Sequence, residues 1–247
     1  MEIRVDYLVV ALAWLFGGFV GAATGVGGVM TAMPLLTLAL FPADAVLVAC
    51  LVGVFGALQL TVAYRRFCSW KDLRELVFGA VFGCVAGAWV LKAVSVQSLQ
   101  FMVCAMIALF VIMQMFPRLS GFHLSESPAW GVAAGVVSGF VNSSVAMVGI
   151  PLGIYALLKH WTPDRSRGTM TVFYLLSGVV TVCIQAGMGL YTQDILKVSL
   201  AGMAGVFLGG VLGIRAGRHI DQKLFRRAVL AFLILAAAIL FMRATRM

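Results

Sequence analysis

Eight apolar runs, at roughly 7–41, 44–64, 76–91, 99–116, 128–158, 170–188, 198–214 and 228–242, fill most of the chain, with short loops between them. About 18 consecutive apolar residues suffice for a helix that crosses a bilayer. Backbone polar groups in lipid must be satisfied within the protein, and a helix does this from its own residues. The expected class is therefore an all-α polytopic membrane protein forming a single membrane domain. Composition agrees. Of 247 residues, 62% are hydrophobic and 11% charged, and the mean hydropathy is +1.06. A soluble enzyme of this length does not need so much apolar surface. The net charge of +9 would suit nucleic acid, but the bases sit in short loops between apolar runs and read as topogenic. The segment Met1–Asp6 lacks a basic leader pattern and is expected to be an uncleaved mature start. Cys50, Cys68, Cys84, Cys104 and Cys183 show no paired spacing, so they read as small buried hydrophobes, with neither a metal nor another cofactor expected.

Two of the eight runs differ from the rest. The first contains Gly17 to Pro34 and the second Gly131 to Pro151. Each opens with glycines at every fourth residue (Gly17, Gly21, Gly25; Gly131, Gly135, Gly139). Each continues through tiny or polar residues, Thr24 to Gly28 in one and Asn142 to Ser144 in the other, before its proline. Glycine and proline interrupt helices, and broken backbone at membrane depth is tolerated where it faces protein or a wet cavity. A second pair of triads, Gly79/Gly83/Gly87 and Gly205/Gly209/Gly213, is spaced the same way. The pattern points to an internal duplication, with repeat 1 at about 5–117 and repeat 2 at about 128–244. Close helix packing is the preferred reading of the later triads. For Gly17–Gly28 a functional reading is preferred, because the glycines run past the helical spacing into G-V-G-G.

The bases set the topology. If every run crosses once, the 18 Lys and Arg split nine against nine, contrary to the positive-inside tendency. If 128–158 enters and returns on one side, 13 of them become cytoplasmic. Length agrees, since 31 residues in one helix would span ~46 Å against a core of ~30 Å. With 7–41 folded likewise, each half is a re-entrant hairpin plus three transmembrane helices. That is an odd number of crossings, so the two halves are expected to be inverted repeats. The two half-helices of the second run are expected to meet near Asn142–Ser144.

The stretch from Gly17 to Pro34 with its degenerate second copy, R-S-R-G-T-M-T-V-F-Y-L-L-S-G at 165–178 and G-V-L-G-I-R-A-G-R-H-I-D-Q-K-L-F-R-R near the end together resemble the TauE/SafE family of anion exporters. The resemblance covers nearly the whole chain. It implies a bacterial inner-membrane protein that moves sulfite, sulfonates or related small oxyanions, usually outward.

A small oxyanion in a membrane needs hydrogen-bond donors, and the N-termini of half-helices supply free N–H groups and positive dipole ends. Gly25, Gly27 and Gly28 are expected to offer amides from one half. Asn142, Ser143 and Ser144 are expected to offer amides and side-chain donors from the other, with hydroxyls from Thr24 and Thr31. Local bonding to the preceding turn is the alternative for each hydroxyl. Arg165 and Arg167 are candidates to gather anions at the cytoplasmic mouth, or else simple topogenic bases. All nine acids lie at loops or run ends and all three histidines in loops, so no intramembrane proton relay is evident. An inside-negative potential already favours anion export by ~2.3 kcal/mol per charge per 100 mV, and export driven by potential and gradient is expected. The partners are a small anion and the lipid bilayer, with self-association as a homodimer left open. Competing readings are a passive anion channel, a non-transporting assembly or scaffold protein, and an intramembrane hydrolase using Ser138. The last lacks a histidine in any run to act as base.

Overall fold

The computed structural model describes residues 7–24, 27–115, 125, 127–216 and 222–244, and every regular element among them is helical. In order these are α1 (Tyr7–Thr24), α2 (Gly28–Ala39), α3 (Pro42–Tyr64), a 3₁₀ turn (Arg65–Phe67), α4 (Trp70–Ala93), α5 (Val96–Met115), α6 (Pro128–Val145), α7 (Gly149–Leu158), α8 (Pro163–Gly187), α9 (Gln193–Ala216) and α10 (Gln222–Ala244). Five of them, α1, α3, α4, α8 and α9, are long and apolar enough to cross a membrane. The helices α5 and α10 are 20 and 23 residues long. Pro42, Pro128 and Pro163 open their helices at positions whose N–H groups would have no helical partner anyway. Ser127 and Thr162 cap α6 and α8 by accepting from Ala129 N and Arg165 N.

Both long runs are broken as glycine and proline suggest. The first parts into α1 and α2 around Gly27, whose φ of 93° is left-handed and suits a residue without Cβ. The two helices fold back closely. A Cβ on Gly17 would lie 2.7 Å from the Gly28 carbonyl oxygen, and one on Gly21 would lie 3.1 Å from Gly28 Cα. The second run parts into α6 and α7 at Ala146, with φ 60°. Their far ends come together where Lys159 Nζ donates to the Ser125 carbonyl at 3.2 Å. The break falls near Asn142–Ser144 as expected, just past them. Helical bonding persists through Val145, and the Ala146 N–H closes on the Asn142 carbonyl at 2.9 Å.

The later glycine triads pack helices, and they do so across the halves. Gly79, Gly83 and Gly87 of α4 lie on the carbonyls of Val132, Val136 and Phe140 of α6, while Gly135 and Gly139 lie on those of Leu76 and Ala80. Gly205, Gly209 and Gly213 of α9 lie on the carbonyls of Ala11, Leu15 and Phe19 of α1. Numbers rise together in both seams, so each pair is parallel. Backbone-to-backbone approach replaces the hydrophobic drive that lipid removes. The α3–α8 pair instead runs antiparallel: Thr61 Oγ1 donates to the Thr171 carbonyl at 3.0 Å, Gly178 backs on Val54, and Tyr191 reaches Leu47.

One end of the molecule gathers the base-rich connections. Ser69 N donates to Thr169 Oγ1 at 2.9 Å, and Arg165 pairs with Asp72, donates to Ser69 Oγ at 3.2 Å and stacks over Trp161. The Lys159–Ser125 bond lies at the same end. The opposite, base-poor end carries the start of α3 and the turn between α8 and α9.

Candidate functional site

A cavity of ≈ 110 Å³ lies where the two helix breaks face α3, α8 and α9. Gly27, Gly28, Val29 and Met30 at the start of α2 line one part of it, and Ala146, Met147, Val148 and Gly149 at the start of α7 another. Cys50 and Gly53 of α3, Asn142 of α6, Gly178 of α8 and Gly210 of α9 fill in the wall. The space exists because so many of these residues lack a side chain. No charged side chain is among the lining residues.

The site is polar through its backbone. Neither α2 nor α7 has a side chain bonded to its first-turn amides. At α7 the Ile150 N–H closes on the Met147 carbonyl at 3.5 Å and Pro151 has none, which leaves the Gly149 amide; with the first-turn amides of α2 and the positive ends of two helix dipoles it faces one small volume. Pro151 falls in the first turn of α7, where no amide bond is lost. Pro34 lies inside α2 and has no N–H to offer the carbonyl of Met30, another wall residue. Two further polar atoms beside the cavity, Trp14 Nε1 and the Tyr174 hydroxyl, are buried without a partner.

The sequence-predicted residues divide sharply. Gly27, Gly28 and Asn142 line the cavity. Gly25 lies outside the described residues. Thr24 Oγ1 bonds back to the Val20 carbonyl at 2.7 Å, Thr31 Oγ1 to that of Gly28 at 2.9 Å, and Ser144 Oγ to that of Phe140 at 2.7 Å. These three hydroxyls follow the local alternative and are not in the wall. Ser143 is fully buried, with its Oγ unpartnered. The expected amides of Asn142, Ser143 and Ser144 are not terminal donors, because all three residues sit inside α6, near its C-terminal end. Their carbonyls are bonded too: that of Asn142 accepts from the Ala146 N–H at 2.9 Å and from Cys50 Sγ at 3.5 Å, and that of Ser143 from Gln185 Nε2 at 3.1 Å. Arg165 is committed to Asp72, and neither it nor Arg167 is part of the wall.

Sequence reasoning missed the residues that terminate the break, Met147 to Gly149, and the polar partners on α8. Gly149 followed by Pro151 is a helix-start signal and would have located the break. The α8 partners form a linked set with α3, α4 and α6. Asn142 Nδ2 donates to Thr181 Oγ1 at 3.1 Å, Thr181 Oγ1 to Cys84 Sγ at 3.2 Å, and Tyr191 OH to Gln185 Oε1 at 2.8 Å. Thr181 and Gln185 are both fully buried.

Residues 10–240 match the family model described as Sulfite exporter TauE/SafE, which covers nearly the whole chain. No curated protein and no solved structure matches it. Family and long apolar helices together indicate a multi-pass membrane protein.

Proposed function

This chain belongs to the sulfite exporter TauE/SafE family, and we propose that the cavity between the two helix breaks is where it holds the anion it moves. The observation that carries this reading is the convergence of two uncapped helix N-termini, α2 and α7, on a cavity without a charged wall. Backbone donors hold a small oxyanion without the tight grip of a buried Lys or Arg, so the anion can also leave. Three or four oxygens around one sulfur present acceptors in several directions, which suits donors arriving from two helices. Sulfite and small sulfonates are the proposed substrates.

We further read the fold as two inverted repeats, α1–α5 and α6–α10. Exchange of the two sets turns the α1–α9 seam into the α6–α4 seam and maps the α3–α8 pair onto itself, and both breaks turn on a left-handed residue. With the base-rich end cytoplasmic, as the positive-inside tendency favours, the site serves a bacterial inner-membrane exporter. Inside-negative potential then drives an anion outward by ~2.3 kcal/mol per charge per 100 mV, without a buried carboxylate relay.

Proteoliposomes test the reading. Purified protein is expected to carry saturable, counterflow-competent flux of sulfite or a small sulfonate, with chloride and small carboxylates poor competitors. A thermal-shift panel of the same anions should rank them in the same order. Absence of saturable flux for every sulfur oxyanion, with no stabilisation by any, would overturn it.

A further inference from the structure

The described helices meet along several seams, and one is chemically unlike the others. The α1–α9 and α4–α6 contacts are built on glycine and backbone. The α6–α8 seam is lined by polar side chains. Ser177, Thr181 and Gln185 recur every fourth residue of α8 and so form one stripe, and all three are fully buried. Ser138 and Asn142 form the same spacing on α6. Asn142 bonds Thr181 across the seam and also lines the cavity.

The far end of this stripe is clamped. Gln185 Nε2 donates to the Ser143 carbonyl at 3.1 Å and to Cys50 Sγ at 3.7 Å, while Gln185 Oε1 accepts from Tyr191 OH at 2.8 Å. Tyr191 belongs to the turn between α8 and α9, at the base-poor end, and its hydroxyl also reaches the Leu47 carbonyl. Thr181 and Gln185 are one helical turn apart, roughly 6 Å along the axis. The stripe therefore bridges the short distance from the cavity wall to the base-poor face. The Ser143 hydroxyl beside it is buried without a partner, as are those of Ser177 and Ser138 one turn nearer the base-rich end. Helix packing alone would leave such sites apolar or fully bonded, since an unmatched polar group at membrane depth is costly.

We propose that the leg of the transport path from the cavity to the base-poor face follows the α6–α8 seam, and that Gln185, held by Tyr191, closes it. The inference rests on reading the cavity as the anion site. When Gln185 turns away, the amide of Asn142 and the hydroxyls of Thr181 and Ser143 line a continuous track of neutral donors for an oxyanion. Cys84, which accepts from Thr181, sits beside that track and reports on it.

The test uses full-length protein in liposomes and a membrane-impermeant methanethiosulfonate reagent bearing a sulfonate, applied from the base-poor side. Modification is read at each cysteine by peptide mass spectrometry. Tyr191→Phe and Gln185→Ala are each expected to raise the rate at Cys84 at least tenfold over wild type, and wild type should react faster while transporting a small alkanesulfonate, which unlike sulfite does not attack the reagent. An unchanged Cys84 rate in both variants and during sulfonate flux would overturn the assignment. A fall in thermal stability alone, with Cys84 still protected, would mark the network as structural only and also overturn it. Flux by wild type with Cys84 unreactive throughout removes this leg but leaves the anion site standing. A Cys84 made reactive by Tyr191→Phe in a protein that moves no sulfur oxyanion keeps the opening and removes the substrate reading.

Discussion

Replacing Gly83 by alanine puts one methyl group into a seam where two helix backbones touch. The added Cβ would fall on the Val136 carbonyl oxygen, 2.8 Å from Val136 C and 2.7 Å from Phe140 N. All three are backbone atoms of α6 and cannot swing aside as a side chain would. Relief requires α4 and α6 to part by roughly 1 Å, a gap that forfeits about a quarter to a half of each dispersion contact it opens. Overpacking of this kind costs about 1–3 kcal/mol. Alanine's better helix propensity returns about 1 kcal/mol. The net expectation is a loss of up to about 2 kcal/mol for Gly83→Ala, and a similar loss for Gly209→Ala, whose Cβ meets the Leu15 carbonyl of α1. Gly187→Ala is the control, because nothing lies within 4 Å of its Cβ. Thermal unfolding of the three variants in one detergent is the assay. The two seam variants should unfold several degrees below wild type, with Gly187→Ala at or above it. If Gly83→Ala and Gly209→Ala match the control, the parallel backbone contacts are not what holds α1 and α6 in place. Because α6 leads directly to the break beside the cavity, the seam variants should also lose flux.

Other outcomes follow from the same geometry. Arg165→Ala should destabilise more than Asp72→Asn, because it strands a carboxylate only 10% exposed whereas the asparagine strands a guanidinium that is 46% exposed. A double-mutant cycle measures the coupling, about 1–3 kcal/mol for a hydrogen bond to a charged group in this half-screened setting. Cysteines placed at Ser125 and Thr162 should label from the same side of the membrane, and labelling from opposite sides would undo the folded-back arrangement of α6 and α7. Cys68, in the loop before α4, has its thiol raised above the usual value by burial, with the Asp72 carboxylate adding to the rise. A raised value keeps the neutral thiol to higher pH, so maleimide labelling of Cys68 should be slow at neutral pH and accelerate only above the ordinary thiol range. Finally, efflux of a sulfonate anion should rise with an imposed inside-negative potential at zero pH gradient. Flux that needs a pH gradient and ignores potential would refute potential-driven export.

Much of the architecture was legible along the chain. Apolar runs of bilayer length can form only self-satisfied backbone, so helices and a membrane class followed directly. Gly17–Gly28 and the Gly131–Pro151 region announced the two breaks, since each combines glycine and proline with more apolar residues than one crossing needs. The four-residue spacing of Gly79, Gly83 and Gly87 announced close packing. Spacing did not say against which helix, and the answer, that α4 seats α6 and α9 seats α1, depends on contacts more than forty residues distant in sequence. The site was legible only in outline. Gly27, Gly28 and Asn142 line the cavity, but Thr24, Thr31 and Ser144 turn their hydroxyls onto their own helices, a choice made by local backbone geometry that residue type cannot reveal. Arg165 looked free in the sequence, yet the fold places Asp72 beside it from 93 positions away. The second break lies at Ala146–Val148, just past Asn142–Ser144, whose polar groups bond to α8: Asn142 to Thr181 and the Ser143 carbonyl to Gln185. Sequence settles what each segment must do with its own backbone in lipid. Which polar groups are spent holding helices together, and which are left to face a cavity, is decided only when distant segments pack.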